Sequence, residues 1–251
     1  MGKAAAIATV QRGGKALIVS RSKDKLDSAI LEIASHITPS IGGSVESAIL
    51  DVTQERDVQS FVETVLQSST SSWDGLVFSA AGKAPHGPIV DLPTDDTRQL
   101  FETKFWGAYL CAKYMSPYLS EGSCITFVGG VLNRRPGINC SPLASTNGAL
   151  EGLTRALALE LGPKIRVNCL SPGFCDTERF DQMDPERKNA MLKNTAESLP
   201  LKRVGTPEDM GEAIYYLLMA KFCTGVVLDC DGGHNIRQYA NSNDDPMRRK
   251  S

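Results

Sequence analysis

The stretch TRALALELGPKIRVNCLSPGFCDT, residues 154–177, decides the fold of this chain. In the segment 143–161, which leads into its first half, three- and four-residue spacing separates Leu150, Leu153, Leu157 and Leu161, which predicts a helix with one apolar face. IRVNCLSPG then forms a short apolar run closed by proline and glycine, which is typical of a buried strand. A helix that passes directly into such a strand indicates a sheet whose neighbouring strands are connected by helices.

The same alternation of short apolar runs and amphipathic segments extends outward over the whole chain. Strands are predicted over 15–21, 46–52, 75–82, 124–130, 165–173 and 224–233. Helices are predicted over 3–12, 23–36, 55–67, 95–118, 143–161 and 207–220. This order predicts an α/β fold with a doubly wound, mainly parallel sheet between two layers of helices. Without an internal repeat, we expect one domain over 1–236 and a flexible polar tail over 237–251.

The composition excludes several classes of function. A formal net charge of −2 on 251 residues gives no general attraction to nucleic acid or to anionic membranes. No apolar run approaches the roughly 20 residues of a membrane span, and no signal-peptide pattern opens the chain. The seven cysteines are scattered singly, which indicates free thiols in a reducing compartment and neither disulfides nor a metal site. We therefore expect a cytoplasmic protein that acts on a small molecule.

Several motifs in order resemble the short-chain dehydrogenase/reductase family, from Met1 to about Ile236. GGKALIVSRSKDKL is similar to its second strand and following helix, LDVT to its adenine-contacting turn, and SAAG to its Asn-Asn-Ala-Gly motif. The stretch quoted first, with RVGTPEDMGEAIYYLL and TGVVLDCDGG, is similar to the segments after the catalytic site. The resemblance implies a Rossmann-type three-layer α/β/α fold and a nicotinamide cofactor. It also implies a homodimer or homotetramer formed through helices 95–118 and 143–161.

The end of the second strand of such a fold selects the cofactor. An acid there accepts hydrogen bonds from the adenosine ribose, whereas an arginine accommodates a 2′-phosphate. This chain has Ser20, Arg21 and Ser22 at that point and no acid. Because a guanidinium pairs well with phosphate, we expect NADP(H) as the cofactor. The alternative is that Arg21 is a solvated residue at the end of a strand.

Further cofactor contacts follow from the resemblance alone. Asp51 and Val52 would flank the adenine, and three small residues would run under the ribose: Ala80, Ala81 and Gly82. The loop after the fifth predicted strand would lie beside the nicotinamide carboxamide with Pro172, Gly173 and Thr177. Each of these residues could instead serve ordinary turn geometry.

The start of the chain departs from the family pattern. Met1 and Gly2 align with the tail of the family's glycine-rich turn, so the opening strand, which normally lies in the middle of the sheet, has no counterpart in the sequence. Gly2 is then the candidate for a pyrophosphate contact at the first helix. We expect a native chain with residues upstream of Met1, the alternative being a truncated form with weak cofactor affinity.

The catalytic residues depart from the pattern as well. The family's tyrosine and lysine, four residues apart, align with Pro142 and Thr146. Its serine aligns with Gly129, and its asparagine with Lys104. Because hydride transfer to a carbonyl leaves an alkoxide that needs a nearby acid, the family's usual mechanism cannot run on these residues.

Other residues near this segment are candidates for a rebuilt site. Lys104 offers an ammonium, the alternative being a side chain that reaches solvent. Either arginine of the pair Arg134 and Arg135 would polarise a carbonyl or bind an acidic substrate, the alternative being a solvated loop pair. Hydroxyl, thiol and further acid/base candidates are Ser141, Ser145, Cys140, His86 and Asp176.

Three hypotheses follow. The first, which we favour, is an NADP-dependent oxidoreductase of atypical type that reduces an iminium or a polarised enone or carbonyl. The second is a non-redox enzyme, such as a cyclase or isomerase, that uses the same pocket. The third is a catalytically inactive relative that acts as a binding or oligomer partner.

Overall fold

Strands and helices alternate throughout the computed structural model, which describes residues 1–67 and 72–236. The predicted tail, 237–251, lies outside the described residues. The first half contains α1 (Gly2–Val10), β1 (Lys15–Ser20), α2 (Lys23–Ser35), β2 (Ser44–Ile49), α3 (Glu55–Phe61), β3 (Trp73–Phe78), α4 (Thr94–Phe101) and α5 (Gly107–Met115). The second half contains β4 (Leu119–Val128), α6 (Ser141–Leu161), β5 (Ile165–Pro172), α7 (Pro185–Ser198), α8 (Pro207–Met219) and β6 (Val227–Cys230). Every predicted strand and helix is present, so the α/β prediction is confirmed.

Two of the helical stretches contain a π-helical segment. The helix that begins as α3 continues as a π-helix over Val62–Leu66. A second π-helix, Glu102–Trp106, joins α4 to α5, so the predicted helix over 95–118 is one helical stretch with a wider turn in its middle. Such π-helical segments are rare in proteins, and those that occur are frequently found at functional sites.

Helix α7 was not predicted from the sequence. Its N-terminus is built by Asp184, whose side chain accepts a hydrogen bond from the backbone N–H of Arg187, with Pro185 in the first turn. None of its residues is fully buried, and its partly buried side mixes Lys188, Met191, Leu192 and Thr195, so its apolar periodicity is too weak to indicate a helix. By contrast, the predicted start of α8 is confirmed, with Thr206 as its cap and Pro207 in the first turn.

The strands form two sheets in which all pairs are parallel. β3, β4, β5 and β6 make a four-stranded sheet in that order, and β1 and β2 make a separate pair. Among the described residues, β1 pairs only with β2, and β3 pairs only with β4. The strands at this division are only partly buried, whereas β4 and β5 are buried along most of their length.

Helix α1 packs on β1 and on α8. The close approach of α1 to α8 depends on Gly211, because a Cβ at that position would lie 2.6 Å from the carbonyl oxygen of Ala4. Alanines dominate the buried side of α1, so its backbone can come near its neighbours. At its first residue, Gly2, an added Cβ would lie 2.5 Å from the Oγ of Ser79, just beyond β3. The helix thus contacts elements on both sides of the divided sheet.

The apolar face of α6 differs from the predicted one. Leu150 is fully buried as expected, but Leu153 and Leu157 are only partly buried. The deeply buried face carries polar residues instead, at Thr146, Asn147, Glu151 and Thr154. Polar residues that face the interior need hydrogen-bond partners there, and the loops that α6 covers can supply them.

No helix among residues 1–67 and 72–236 combines the length and low charge that crossing a bilayer would require.

Candidate functional site

Lys104 is buried at the centre of the π-helical segment. Only 4% of it is exposed, and its Nζ donates a hydrogen bond to the carbonyl oxygen of Gly129, 3.0 Å away, at the end of β4. The ammonium therefore points into the protein, and the alternative of a side chain that reaches solvent does not hold. A buried lysine is retained only where polar partners offset the loss of hydration. The positions that align with the family's asparagine and serine thus contact each other here.

A thiol and a carboxylate share the electrostatic environment of Lys104. Burial raises the pKa of Cys169, on β5, to about 11. The backbone of Gly129 opposes that rise, the carboxylate of Glu151 adds to it, and the Lys104 ammonium opposes it. Cys169 is therefore a neutral thiol near pH 7, and it packs under the end of β4.

The positions that align with the family's tyrosine and lysine lie in the first turns of α6 and are buried. The hydroxyl of Thr146 is used inside the helix, since its Oγ1 donates to the carbonyl oxygens of Pro142, at 3.2 Å, and Leu143, at 3.1 Å. Neither Pro142 nor Thr146 carries an ionisable group. The candidate hydroxyls of Ser141 and Ser145 lie on the exposed side of the same helix.

Arg134 is held in an ion-pair network and is not a solvated loop residue. Its guanidinium donates to both carboxylate oxygens of Asp229 on β6 and to the Oγ of Ser171, 2.7 Å away. Its Nε lies 3.3 Å from the carboxylate of Glu151, which is 9% exposed. The three partners of Arg134, which are Asp229, Ser171 and Glu151, were not predicted from the sequence. Only Glu151 left a signal in the sequence, because it is a charged residue next to Leu150 on the predicted buried face of α6. The network joins the loop after β4 to α6 and β6.

The remaining candidates near the catalytic segment are spread over several places. Arg135 donates to the carbonyl oxygen of Asn235, at 3.3 Å. Asp176 forms an ion pair with Lys188, at 3.1 Å. His86 and Cys140 come together, because both line a cavity of about 180 Å³ between the loops after β3 and β4.

The predicted adenosine end of the site brings Arg21 and Asp51 together. Nη1 of Arg21 lies 3.7 Å from Oδ2 of Asp51, and the arginine side chain is 63% exposed. Partial burial acts to raise the pKa of Asp51, but hydrogen bonds from the N–H and hydroxyl of Thr53, together with the Arg21 guanidinium, hold it below its usual value. Both residues line a cavity of about 390 Å³ between β2 and α3.

The serines on either side of Arg21 shape the start of α2. The Oγ of Ser22 accepts from the N–H of Lys25 and caps the helix, and the Oγ of Ser20 accepts from the N–H of Ser22, at 3.3 Å. Arg21 therefore lies at the N-terminus of a helix of 13 residues. A cation beside a helix N-terminus is an arrangement that fits a phosphate group.

The small residues after β3 allow close packing. Gly82 has a positive φ of 59°, and a Cβ there would lie 3.3 Å from Thr103, the residue before Lys104. Ala80 is partly buried against the main core, and Ala81 is exposed. Val52 and the ring of Phe78 both approach Gly107, where an added Cβ would lie 2.9 Å from Val52 and 3.0 Å from Phe78.

The predicted nicotinamide end lies where β5 ends beside β6. Pro172 is in register with Cys230, and the N–H of Gly173 donates to the carbonyl oxygen of Cys230, 3.0 Å away. A Cβ on Gly173 would lie 2.6 Å from the Cα of Asp231, so this close crossing requires glycine. Thr177 is partly buried just before a 3-10 helix, Glu178–Phe180. The predicted contacts thus line one edge of the fold, at the carboxyl ends of the strands, as expected for ligand sites in such sheets.

Comparisons with known proteins show which proteins the chain resembles. A family model described as Enoyl-(Acyl carrier protein) reductase matches residues 1–235. The chain is 31% identical to a 3-oxoacyl-[acyl-carrier-protein] reductase of Mus musculus, over 93% of this chain and 92% of that protein. It is 28% identical to carbonyl reductase family member 4 of Danio rerio, over 93% and 92%.

Solved structures give the same result. The fold is similar to that of a small-chain dehydrogenase in complex with NADPH, with a TM-score of 0.73, 32% identity, and coverage of 86% of this chain and 96% of that one. It is also similar to a short-chain type dehydrogenase/reductase from Mycobacterium ulcerans, with a TM-score of 0.85, 25% identity, and coverage of 94% and 86%.

Proposed function

Because the chain belongs to the short-chain dehydrogenase/reductase family of oxidoreductases, we propose that it is an NADP(H)-dependent reductase with an atypical active site. The observation that carries the cofactor choice is Arg21 at the N-terminus of α2, with no acid at the end of β1. The 2′-phosphate of NADP(H) would be held by the Arg21 guanidinium, the hydroxyl of Ser22 and the helix N-terminus. The NADPH named for the similar dehydrogenase structure supports this choice.

The nicotinamide cofactor, when bound, supplies or accepts a hydride. The chain itself offers no ionisable side chain at Pro142 or Thr146, which constrains the substrate. A substrate whose reduction needs no proton from the protein, such as an iminium, can be reduced without the family's tyrosine. A polarised enone or carbonyl would instead need a proton donor elsewhere in the pocket.

Lys104 is a positioning residue in this proposal. Its ammonium fixes the carbonyl of Gly129 and so the start of the loop that follows β4. That loop leads to α6 and borders the proposed substrate pocket. A buried positive charge here also adds to the electrostatic field of the site, because its low-dielectric surroundings screen it weakly.

A second candidate function is supported by the surface of the helix that contains Lys104. Phe101, Phe105, Trp106 and Tyr109 form a chain of edge-to-face aromatic contacts, and Trp106 and Tyr109 are partly exposed. Aromatic residues of this kind are enriched at protein interfaces. We propose that this face and α6 form a homo-oligomer contact, which an inactive member of the family would also use.

The experiment that tests the proposed function is titration calorimetry with NADPH and NADH on the wild type and on Arg21→Asp. Loss of a charge-assisted pair of hydrogen bonds predicts NADPH binding weaker by roughly tenfold or more, with NADH affected little. Lys15→Asp, at the opposite end of the same strand, makes the same charge change away from the site and is the matched control. Equal NADPH affinity in Arg21→Asp and wild type would overturn the cofactor assignment.

Turnover is measured on the same proteins with NADPH and a pre-formed cyclic iminium. Oxidation of NADPH that depends on the iminium supports a reductase. NADPH binding without turnover of iminium, enone or carbonyl compounds contradicts the reductase assignment and favours the inactive homo-oligomer.

A further inference from the structure

We infer that the cavity beside α6 binds a neutral, apolar, ring-sized group of the substrate, separate from the bond that is reduced. This inference rests on the proposed function, since it names the substrate class of the same site. Three parts of the chain build the cavity: the loop after β3 at Ala84 to His86, the loop after β4, and the first turn of α6. Because Cys140 and Leu143 both line it, the cavity lies next to Pro142, the position that aligns with the catalytic tyrosine.

The two loops that build the cavity are held to each other. The N–H of Gly87 donates to the carbonyl oxygen of Asn139, at 3.0 Å. The thiol of Cys140 is buried and donates to the carbonyl oxygen of Gly137, 2.9 Å away. The thiol hydrogen is therefore used within the loop, which leaves the sulfur as an apolar part of the wall. These contacts indicate a pocket that is formed before the substrate arrives.

The walls of the cavity are apolar and carry no fixed charge. The side chains that line it are aliphatic apart from His86 and Cys140, and no arginine, lysine, aspartate or glutamate of the described residues is among them. Arg134 and Arg135 are held by Asp229, Glu151 and Asn235. An ionised group in this cavity would lose its hydration without gaining a partner, which is strongly unfavourable. The geometry therefore does not support the acidic substrate that the two arginines suggested.

The volume of the cavity sets the size of the group. It measures about 180 Å³, and a dry apolar cavity of about 150 Å³ is known to hold a benzene ring. One six-membered ring, or a branched aliphatic group of the same size, would fill it. Pro85 and Cys140 are buried, whereas His86 is exposed and Ile138 is 88% exposed, so the last two lie at the mouth. The imidazole of His86 can there form a hydrogen bond to a polar atom next to the ring.

The test uses two probes that share a ring. Cyclohexanone is neutral, and cyclohexanecarboxylate carries a charge on the same ring. Binding is measured by ligand-observed NMR in the absence of NADPH. We expect cyclohexanone to bind and the carboxylate to bind at least roughly tenfold more weakly, because its charge has no partner in the cavity. Equal binding of the two probes would overturn the inference.

Cavity-filling variants locate the binding. Leu143→Trp occupies the space of the ring, so we expect cyclohexanone affinity to fall by about tenfold or more, since little apolar surface remains to bury. Leu31→Trp, at a 75% exposed position of α2, is the matched control and should bind like the wild type. If Leu143→Trp does not fold, Ala84→Leu fills the cavity from the opposite loop. Unchanged binding of cyclohexanone by a folded cavity-filling variant would contradict the proposal.

The two proposals fail separately. Ring binding that is lost in the filling variants, together with a wild type that never oxidises NADPH, supports the cavity and contradicts the reductase. If the filling variants reduce an iminium with NADPH as fast as the wild type does, that result supports the reductase and contradicts the cavity.

Discussion

The ammonium of Lys104 and the carbonyl oxygen of Gly129, 3.0 Å apart, join the π-helical segment to the end of β4. The contact brings together two positions where the chain differs from its family, one on a helix and one on a strand. A Cβ on Gly129 would lie 3.0 Å from the sulfur of Cys169, so a side chain at this position would require Cys169 to shift by a few tenths of an ångström. The two differences therefore form one arrangement.

Lys104→Met tests the role of this contact. Methionine keeps most of the volume but removes the charge, so the loop after β4 loses one of its anchors. We expect turnover to fall by about tenfold, from about 1.4 kcal/mol of lost positioning, with NADPH affinity unchanged. Lys113→Met, on the exposed side of the same helical stretch, is the control. Steady-state kinetics and calorimetry read out both effects, and unaltered turnover in Lys104→Met would show that the ammonium has no part in the reaction.

The Arg134–Glu151 pair predicts a loss of stability. Arg134→Met leaves the nearly buried carboxylate of Glu151 with only the more distant guanidinium of Arg155, 3.7 Å away, which costs about 2 kcal/mol of the free energy of unfolding. The double variant Arg134→Met, Glu151→Met should recover the part of that loss that comes from the carboxylate of Glu151, whereas the part that comes from Asp229 remains. Urea denaturation measures these changes, and Arg135→Met is the control from the same loop. Equal stability of the single and double variants would mean that the pair is not coupled.

Arg166 predicts a specific weakness at the end of α8. Its guanidinium donates to the carbonyl oxygens of four residues that end the helix and the following turn: Leu217, Leu218, Ala220 and Cys223. Arg166→Met would leave these acceptors without that donor, and we expect a loss of about 2 kcal/mol. Lys164→Met, two residues earlier, should stay within about 0.5 kcal/mol of the wild type. Thermal and urea unfolding check the difference, and equal losses would contradict the capping role.

The stability that the start of α8 contributes is expected to depend on pH. The Arg203 guanidinium, together with the N–H of Thr206, outweighs the effect of partial burial and holds the pKa of Asp209 at about 2, below its ordinary value of 3.8. A lowered pKa means that the carboxylate stabilises the fold above about pH 4 and that this contribution is lost as the pH falls toward 2. The stability advantage of the wild type over Asp209→Asn should therefore be constant near neutral pH and shrink below pH 4.

Urea midpoints measured from pH 7 downward give that comparison. Glu208→Gln, at the neighbouring exposed acid, is the control. A difference between the wild type and Asp209→Asn that stays constant down to pH 2 would contradict the lowered pKa.

The helices and strands could be predicted from the sequence because their signal is local. Runs such as those at 124–130 and 165–173 need only their own apolar residues to be identified as buried strands. Helix α7 shows the limit of that method, since a helix without a fully buried residue leaves only a weak apolar periodicity. The π-helical turn at Glu102–Trp106 is a second limit, because it shifts one hydrogen bond in a stretch whose composition still reads as ordinary helix.

The candidate site could be predicted only in part, because its contacts join distant parts of the chain. Position in the motif was enough to single out Lys104 and Arg134. Their partners were not visible, since Gly129 lies 25 residues from Lys104 and Asp229 lies 95 residues from Arg134. The direction of each side chain was decided by these partners, so the sequence left the interior and the solvent as open alternatives for both.

The division of the sheet between β1 and β3 has a consequence for local unfolding. β1 and β2 form a two-stranded sheet, which is only marginally stable by itself, and the small cluster around Ala6, Val10 and Ile33 supports it. We expect the amide hydrogens of this part to exchange faster than those of β4 and β5, which hydrogen-exchange mass spectrometry can measure. Arg21 lies in this part, so NADP(H) bound there would also stabilise the folded arrangement of β1 and β2. The free energy of binding would then include the ordering of the two-stranded part that selects the cofactor.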